Sequence, residues 1–148
     1  MANNPGMSTN FKQEILIAGH NLTTATGHTL RMALFLSSGS INPGVAAYSG
    51  PAMSGELVSA NYPNATSNNV TNGATPNTSG TSAIWTPTAA MNWTSIVYSN
   101  LDCSWLYNSS VSNKGIAVFT FAAQSSAGGN FTLTMPPHAV GTALLQIT

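Results

Sequence analysis

Short stretches in which every second side chain is apolar recur along this sequence and predict β-strands. Leucine or methionine occupies positions 30, 32, 34 and 36, and Phe131, Leu133 and Met135 alternate with threonines. A period of two places one set of side chains on one face of a strand. Residues 116–123, rich in β-branched and aromatic side chains, form the strongest strand signal. We therefore expect a chain built mainly from strands.

Residues typical of turns separate these stretches at intervals of about 8 to 12 residues. We predict turns at 112–115, which reads Ser-Asn-Lys-Gly, and at 125–129, which contains a Gly-Gly pair typical of hairpins. Further strands are predicted around 57–58 and at 84–86, 95–99, 102–107 and 143–147. Seven or eight short strands within 148 residues predict a single β-sandwich of the immunoglobulin or jelly-roll type.

The N-terminal segment, residues 1–22, has a different pattern from the rest of the chain, residues 23–148. Residues 1–7 predict a flexible arm, and the stretch that follows predicts a short helix. Ser8 to Asn10 offer capping oxygens, and Phe11, Ile15 and Ala18 share one face. A helix of about nine residues is marginal in water and must dock, either on its own sheet or on a neighbouring subunit. We hypothesise that Phe11 and Ile15 anchor the chain to a partner.

A polar segment at residues 61–82 contains little material for a core. Asn, Ser, Thr and Gly occupy 16 of its 22 positions, and Tyr62 and Val70 are its large apolar residues. Irregular segments longer than about 12 to 15 residues are usually functional or mobile. We predict a long exposed loop here.

Charge is scarce throughout the sequence. Three cations balance three anions, and charged residues make up 4% of the chain, where about 25% is usual. Nucleic-acid binding is not expected, because it needs clustered Lys and Arg, and neither is attachment to an anionic membrane. No apolar run reaches the roughly 18 residues of a membrane span. Ser, Thr and Asn fill 52 of 148 positions, and a surface so neutral favours association, which predicts a homo-oligomer.

Residues with catalytic or metal-binding chemistry are few and scattered. The carboxylates lie at positions 14, 56 and 102, and the histidines at 20, 28 and 138 match no metal-binding spacing. Cys103 is the single cysteine, which excludes an intramolecular disulfide and predicts a buried thiol. The first residues lack the basic start and apolar core of a signal peptide, so we expect synthesis in a reducing cytoplasm. These features predict a protein that is not an enzyme and uses no cofactor or metal.

Aromatic side chains concentrate between Trp85 and Tyr107, including Trp93 and Trp105. Such a cluster packs a core, stacks on sugars or anchors a protein interface. Trp93 stands in a polar stretch between an asparagine and a threonine, so it is the tryptophan that we expect to be exposed.

Six segments taken together resemble a group of small virion structural proteins of tailed bacteriophages, and the resemblance spans nearly the whole chain. These segments are Phe11–Leu16, Leu30–Leu36, Gly80–Pro87, Leu106–Ser109, Ser112–Gly115 and Asn130–Pro136. The polar segment at 61–82 departs from the pattern of the group.

The resemblance implies a cement or decoration protein that binds the major capsid protein on the surface of the virion. We expect it to stabilise the assembled shell by bridging capsid subunits, as a dimer or trimer made in the host cytoplasm. The alternative is a glycan- or receptor-binding module of a tail or head fibre that uses the aromatic cluster.

Overall fold

A computed structural model describes residues 2–23, 27–51, 53–63, 69–71 and 75–148. The protein is mainly β, with one short helix and two antiparallel sheets arranged as a β-sandwich, as the sequence predicts. In chain order the elements are β1 (Gly6–Met7), α1 (Thr9–Leu16), β2 (Leu30–Leu36), β3 (Asn77–Ser79), β4 (Ser82–Trp85), β5 (Met91–Asn108), β6 (Lys114–Leu133) and β7 (Leu145–Ile147). The larger sheet has the order β1-β6-β5-β2, and the smaller sheet has the order β3-β4-β7.

Strands β5 and β6 form one long antiparallel hairpin that is the centre of the larger sheet. The turn at its tip contains Ser112 and Asn113, both with positive φ, as the turn chemistry at 112–115 predicts. The turn is followed by Gly115, a position that requires glycine because a Cβ there would lie 2.7 Å from the ring of Trp105. Four of the predicted short strands are joined into the two strands of this hairpin. The predicted turn at 125–129 is therefore wrong, because these residues lie within β6. Gly128 is instead the extra residue of a β-bulge, with a φ of 119°.

Both faces of the larger sheet are covered. On one face, Leu30, Met32 and Leu34 of β2 pack in the main core with α1 and residues of the smaller sheet. On the other face, Phe35 joins a second cluster that includes Ile41 and other residues of the segment preceding β3. Strand β2 is therefore buried on both sides, and this explains why its sequence, LRMALFL, is apolar at almost every position.

Two further local predictions need correction. Residues 2–7 are not a free arm, because Gly6 and Met7 pair with β6 and the buried Asn3 donates a hydrogen bond to Asp102 at 2.7 Å. The stretch at 57–58 forms no strand, although Glu56 makes an isolated bridge to Phe35. These segments obtain their backbone partners from distant parts of the chain, which local patterns do not reveal.

The predicted loop at 61–82 lies partly outside the described residues, which omit 64–68 and 72–74. Its described part is more ordered than a loop, since it includes β3 and the start of β4. Its two large apolar residues, Tyr62 and Val70, are buried in the main core.

Helix α1 packs on its own domain through Phe11, whose side chain is 2% exposed in the main core. We therefore predict that Phe11→Ala lowers the free energy of unfolding by about 3–5 kcal/mol, the usual loss for truncating a buried aromatic residue. Chemical denaturation of the isolated protein measures this loss. Lys12→Ala, on the exposed face of the same helix, is the matched control and should change stability by less than about 0.5 kcal/mol. Equal stability of Phe11→Ala and the parent protein would contradict the packing of α1.

Candidate interaction surface

A buried polar network fixes the position of α1 on the sheet. The Glu14 carboxylate accepts a hydrogen bond from His20 Nε2 at 2.6 Å and pairs with the Lys114 ammonium at the start of β6. Glu14 itself is 6% exposed. Burial alone would raise the pKa of Glu14, but the hydrogen bonds from Lys114 and His20 and the positive charge of Lys114 together lower it. The carboxylate is therefore held ionised inside the protein, where it ties the helix to the hairpin.

Asn108, at the end of β5, extends this network to two histidines. Its Nδ2 lies 3.0 Å from His20 Nδ1 and 2.9 Å from His28 Nδ1. Because an amide nitrogen only donates, both Nδ1 atoms must accept, and each imidazole then carries its proton on Nε2. This tautomer is the one that His20 needs to donate to Glu14. One asparagine thus orients both ends of the segment that joins α1 to β2.

The end of α1 projects two apolar side chains from the surface. Gly19 N–H donates to Glu14 C=O at 2.7 Å and Ala18 N–H to Ile15 C=O at 3.1 Å. With Ala18 at a φ of 55°, this is the Schellman arrangement that ends a helix abruptly. Leu16 and Ile17 precede this stop and are 85% and 74% exposed. Large apolar side chains exposed side by side are characteristic of interaction sites.

An apolar groove lies directly beside this projection. It has a volume of about 500 Å³ and is open at the surface between α1 and the smaller sheet. Its walls include Phe11, Ile15, Leu22, Trp85, Leu145 and Ile147. A second recess of about 390 Å³, which Leu16 lines, shares Ile15 and Ile147 with the first. We refer to Leu16, Ile17, Ile147 and these two recesses as the α1–β7 surface.

The two residues predicted to anchor the chain have different positions on this surface. Phe11 is buried in the domain's own core, so it forms a wall of the groove and does not project from it. Ile15 is partly buried and lines both recesses. The sequence interpretation missed Leu16 and Ile17. The run Ile15-Leu16-Ile17 contains the signal, because three consecutive apolar residues in a helix cannot all face one side.

Trp93, predicted to be exposed, is 3% exposed, so that prediction is wrong. Its ring lies 5.7 Å from the ring of Phe131 on the neighbouring strand, within the main core. Trp85 and Trp105 are also buried. The polar neighbours of Trp93 misled the interpretation because they occupy the opposite face of β5, where alternation places them in solvent.

A polar cleft of about 230 Å³ opens near Trp93. The amides of Asn61, Asn69 and Asn92 and the hydroxyls of Thr71 and Thr94 line it. Some of these groups are engaged within the protein, since Asn61 Nδ2 donates to Ser95 C=O and Asn92 Oδ1 accepts from Thr132. Among the described residues, the lining of the cleft therefore offers neutral donors and acceptors and no charged side chain.

The remaining groups with reactive chemistry are buried within the domain. Burial and the negative charge of Asp102 raise the pKa of the Cys103 thiol to about 12, so this thiol is a poor nucleophile. Burial also raises the pKa of Glu56 to about 7, although hydrogen bonds from the Tyr48 and Tyr62 hydroxyls oppose this shift. In the part of the chain that the structure describes, no three His, Cys, Asp or Glu side chains converge in a group suited to a metal ion.

Comparison with known proteins found no family model, no curated protein and no solved structure that matches this chain. Among the described residues, none of the helices has the length and apolarity required to cross a membrane.

The two buried carboxylates predict opposite responses of stability to pH. Glu56 has its folded pKa raised to about 7, so its contribution to stability is present below about pH 4.3 and is lost as the pH rises through 7. In the parent protein, the free energy of unfolding should decline by up to about 1.4 kcal/mol per pH unit between about pH 4.3 and 7 because of Glu56. We predict that Glu56→Gln removes this decline. Urea denaturation of the parent protein and the variant at a series of pH values measures the difference.

Glu14→Gln is the matched comparison for this experiment. The folded pKa of Glu14 is lowered, so its contribution is present above about pH 4.3 and is lost as the pH falls through the folded pKa. Glu14→Gln should therefore change the free energy of unfolding at acid pH and leave its decline towards pH 7 intact. Identical slopes for Glu56→Gln and the parent protein between pH 4.3 and 7 would show that Glu56 does not titrate as proposed.

Proposed function

We propose that this chain is a structural protein that joins a larger assembly through apolar contacts, and that it acts as a cement or decoration protein on a bacteriophage shell. The observation that carries the proposal is the α1–β7 surface, where Leu16 and Ile17 project beside an apolar groove. In this role the chain binds the major capsid protein on the virion surface, after synthesis in the host cytoplasm. The resemblance of six segments to small virion proteins supports the choice of assembly.

The distribution of charge supports a role in assembly. The three carboxylates are engaged inside the domain: Glu14 with His20 and Lys114, Glu56 with Tyr48, and Asp102 with Asn3. The outer surface is left with hydroxyls and amides and with little charge to keep molecules apart. Contacts of this kind depend mainly on burial and short hydrogen bonds, and they are little affected by salt.

The physical basis of such a role is mass action. A protein that binds only the assembled lattice stabilises the lattice by its binding free energy, without any chemical step. A rigid surface favours this binding because little side-chain freedom is lost when it docks. The network of Glu14, His20 and Asn108 provides that rigidity to the end of α1.

Copy number in purified virions tests this proposal. Quantitative mass spectrometry of particles of the phage that encodes this chain should find it at a copy number comparable to that of the major capsid protein. The protein should stay on particles in about 1 M salt, where the Debye length falls to about 3 Å. Absence from washed particles would refute the proposal, and a handful of copies per particle would instead indicate a tail or fibre component.

A second candidate function is glycan binding, and the polar cleft beside Trp93 favours it. Neutral amides and hydroxyls suit the hydroxyl groups of an uncharged sugar. Trp93 cannot supply a stacking face, because it is buried, so the cleft would recognise a sugar by hydrogen bonds.

A glycan array probed with the purified protein tests this candidate function. Any binding at the cleft should be weakened at least about tenfold by Asn92→Ala, a loss of about 1.4 kcal/mol. Asn42→Ala, which lies outside the cleft, is the control. Failure to bind any neutral glycan on the array would remove this candidate.

A further inference from the structure

Two histidines share one amide group as their hydrogen-bond donor, and this arrangement suits neutral rings only. Asn108 is fully buried, and its Nδ2 lies 3.0 Å from His20 Nδ1 and 2.9 Å from His28 Nδ1. A ring that already carries a proton on Nε2 takes up its second proton on Nδ1, so each contact then sets one N–H group against another. We propose that acid opens the segment between α1 and β2, whose described part, residues 18–23 and 27–29, we call the latch.

The amide of Asn108 cannot adapt to one protonated ring by rotating through half a turn. Its Oδ1 accepts a hydrogen bond from Ser110 N–H at 3.0 Å, and rotation would place Nδ2 against this donor. Rotation would also set Oδ1 against the lone pair of whichever ring stayed neutral. His28 Nδ1 has a further donor, Asn21 N–H at 3.3 Å, which rotation of Asn108 leaves in place. Opening of the latch is therefore coupled to protonation of both rings.

The charged groups in the network leave little room for further positive charge. Glu14, on α1, accepts from His20 Nε2, which carries a proton in both charge states, so a proton added on Nδ1 gains no new hydrogen bond from Glu14. Lys114, on β6, already pairs with the same carboxylate. With both rings protonated, the network would hold three cations and one carboxylate, and the side chain of His20 is 1% exposed.

The other elements packed around the latch supply no compensating anion. Lys12 of α1 is exposed, and Arg31 of β2 donates a hydrogen bond to Asn69. The strands of the smaller sheet contain no titratable residue. Asp102 and Glu56 are engaged elsewhere in the domain.

The latch forms one wall of the groove in the α1–β7 surface. Five of its residues, 18 and 20–23, line this groove. The C=O group of Leu22 accepts a hydrogen bond from Trp85 Nε1 at 3.2 Å, which joins the latch to the smaller sheet. Release of the latch from Asn108 therefore removes a wall of the groove beside Leu16 and Ile17. The effect of this opening on attachment to an assembly rests on the proposed function, whereas the opening itself does not.

NMR spectroscopy of the full chain tests the opening. Above about pH 7.5, the nitrogen shifts of His20 and His28 should identify both rings as the Nε2–H tautomer. Between about pH 7.5 and 5, amide exchange in the latch should accelerate at least about tenfold after correction for the intrinsic exchange rate, with a dependence approaching two protons per opening. Burial raises the pKa of Glu56 to about 7, which stabilises the whole domain over this interval as the pH falls. Faster exchange confined to the latch would therefore not arise from global unfolding.

Asn108→Asp tests the role of the shared amide. A carboxylate accepts a hydrogen bond from a protonated ring and still accepts one from Ser110 N–H, so acid should now slow amide exchange in the latch at least about tenfold. His28→Asn retains an acceptor that does not titrate, and should reduce the dependence to about one proton per opening. His138→Asn, between β6 and β7, is the matched control and should exchange like the parent protein.

Several results would overturn the proposal. An Nδ1–H tautomer of either His20 or His28 in the neutral parent protein would do so, whether or not the variants fold. Latch amides whose corrected exchange stays constant as the pH falls would also do so, as would an acid response that Asn108→Asp leaves unchanged. Circular dichroism at neutral pH shows which variants are folded.

Particles washed at neutral and at acid pH separate this result from the test of the proposed function. A latch that opens in acid, in a protein absent from particles, supports the present inference and counts against the cement role. A latch that stays closed in acid, in a protein that remains on particles, overturns the present inference and leaves the cement role in place.

Discussion

The pairing of β5 with β6 is the interaction on which the rest of the structure depends. These strands, of 18 and 20 residues, are far longer than the usual five or six, and each carries one neighbour on its outer edge. Strand β2 pairs with β5, β1 pairs with β6, and α1 packs on β6. Because the hairpin is buried on both faces near its tip, the two hydrophobic clusters both use it as a wall.

The few ionisable side chains serve the interior of this protein more than its surface. Glu14 joins α1 to the start of β6, and Asp102 joins β5 to Asn3 near the N-terminus. A buried charge such as that of Glu14 requires partners, since an unpaired ion in a core costs several kcal/mol. The chain satisfies these two carboxylates with histidine, lysine and amide groups, and its outer surface remains almost neutral. Internal pairing and external neutrality are therefore two consequences of the same scarcity of charge.

The end of α1 connects the fold to the proposed role. A Schellman ending at Ala18 terminates the helix just after Leu16 and Ile17, whose side chains remain exposed to solvent. The observed ending leaves this pair exposed next to the groove. Exposure of two large aliphatic side chains is unfavourable for an isolated domain, by about 1.5–3 kcal/mol for each side chain relative to burial. A partner that covers them recovers this free energy.

The sequence by itself determined the class of fold and the location of most strands. The period-two alternation at positions 30–36 predicted β2, the turn residues at 112–115 predicted the tip of the hairpin, and the apolar face of residues 11–18 predicted a helix. The scarcity of charge predicted a neutral surface. These features follow from local periodicity and composition, which are present in the sequence before any long-range contact is made.

Only the tertiary structure decided which partners each segment meets. It joined predicted short strands into β5 and β6, buried Trp93 against Phe131, and placed Asn108 between histidines 88 and 80 positions away. It also separated Phe11, which entered the core, from Leu16 and Ile17, which remained in solvent. The physical reason is that burial and hydrogen-bond partners depend on contacts between residues distant in sequence. An apolar helix face is the same in sequence whether it meets its own sheet or another molecule.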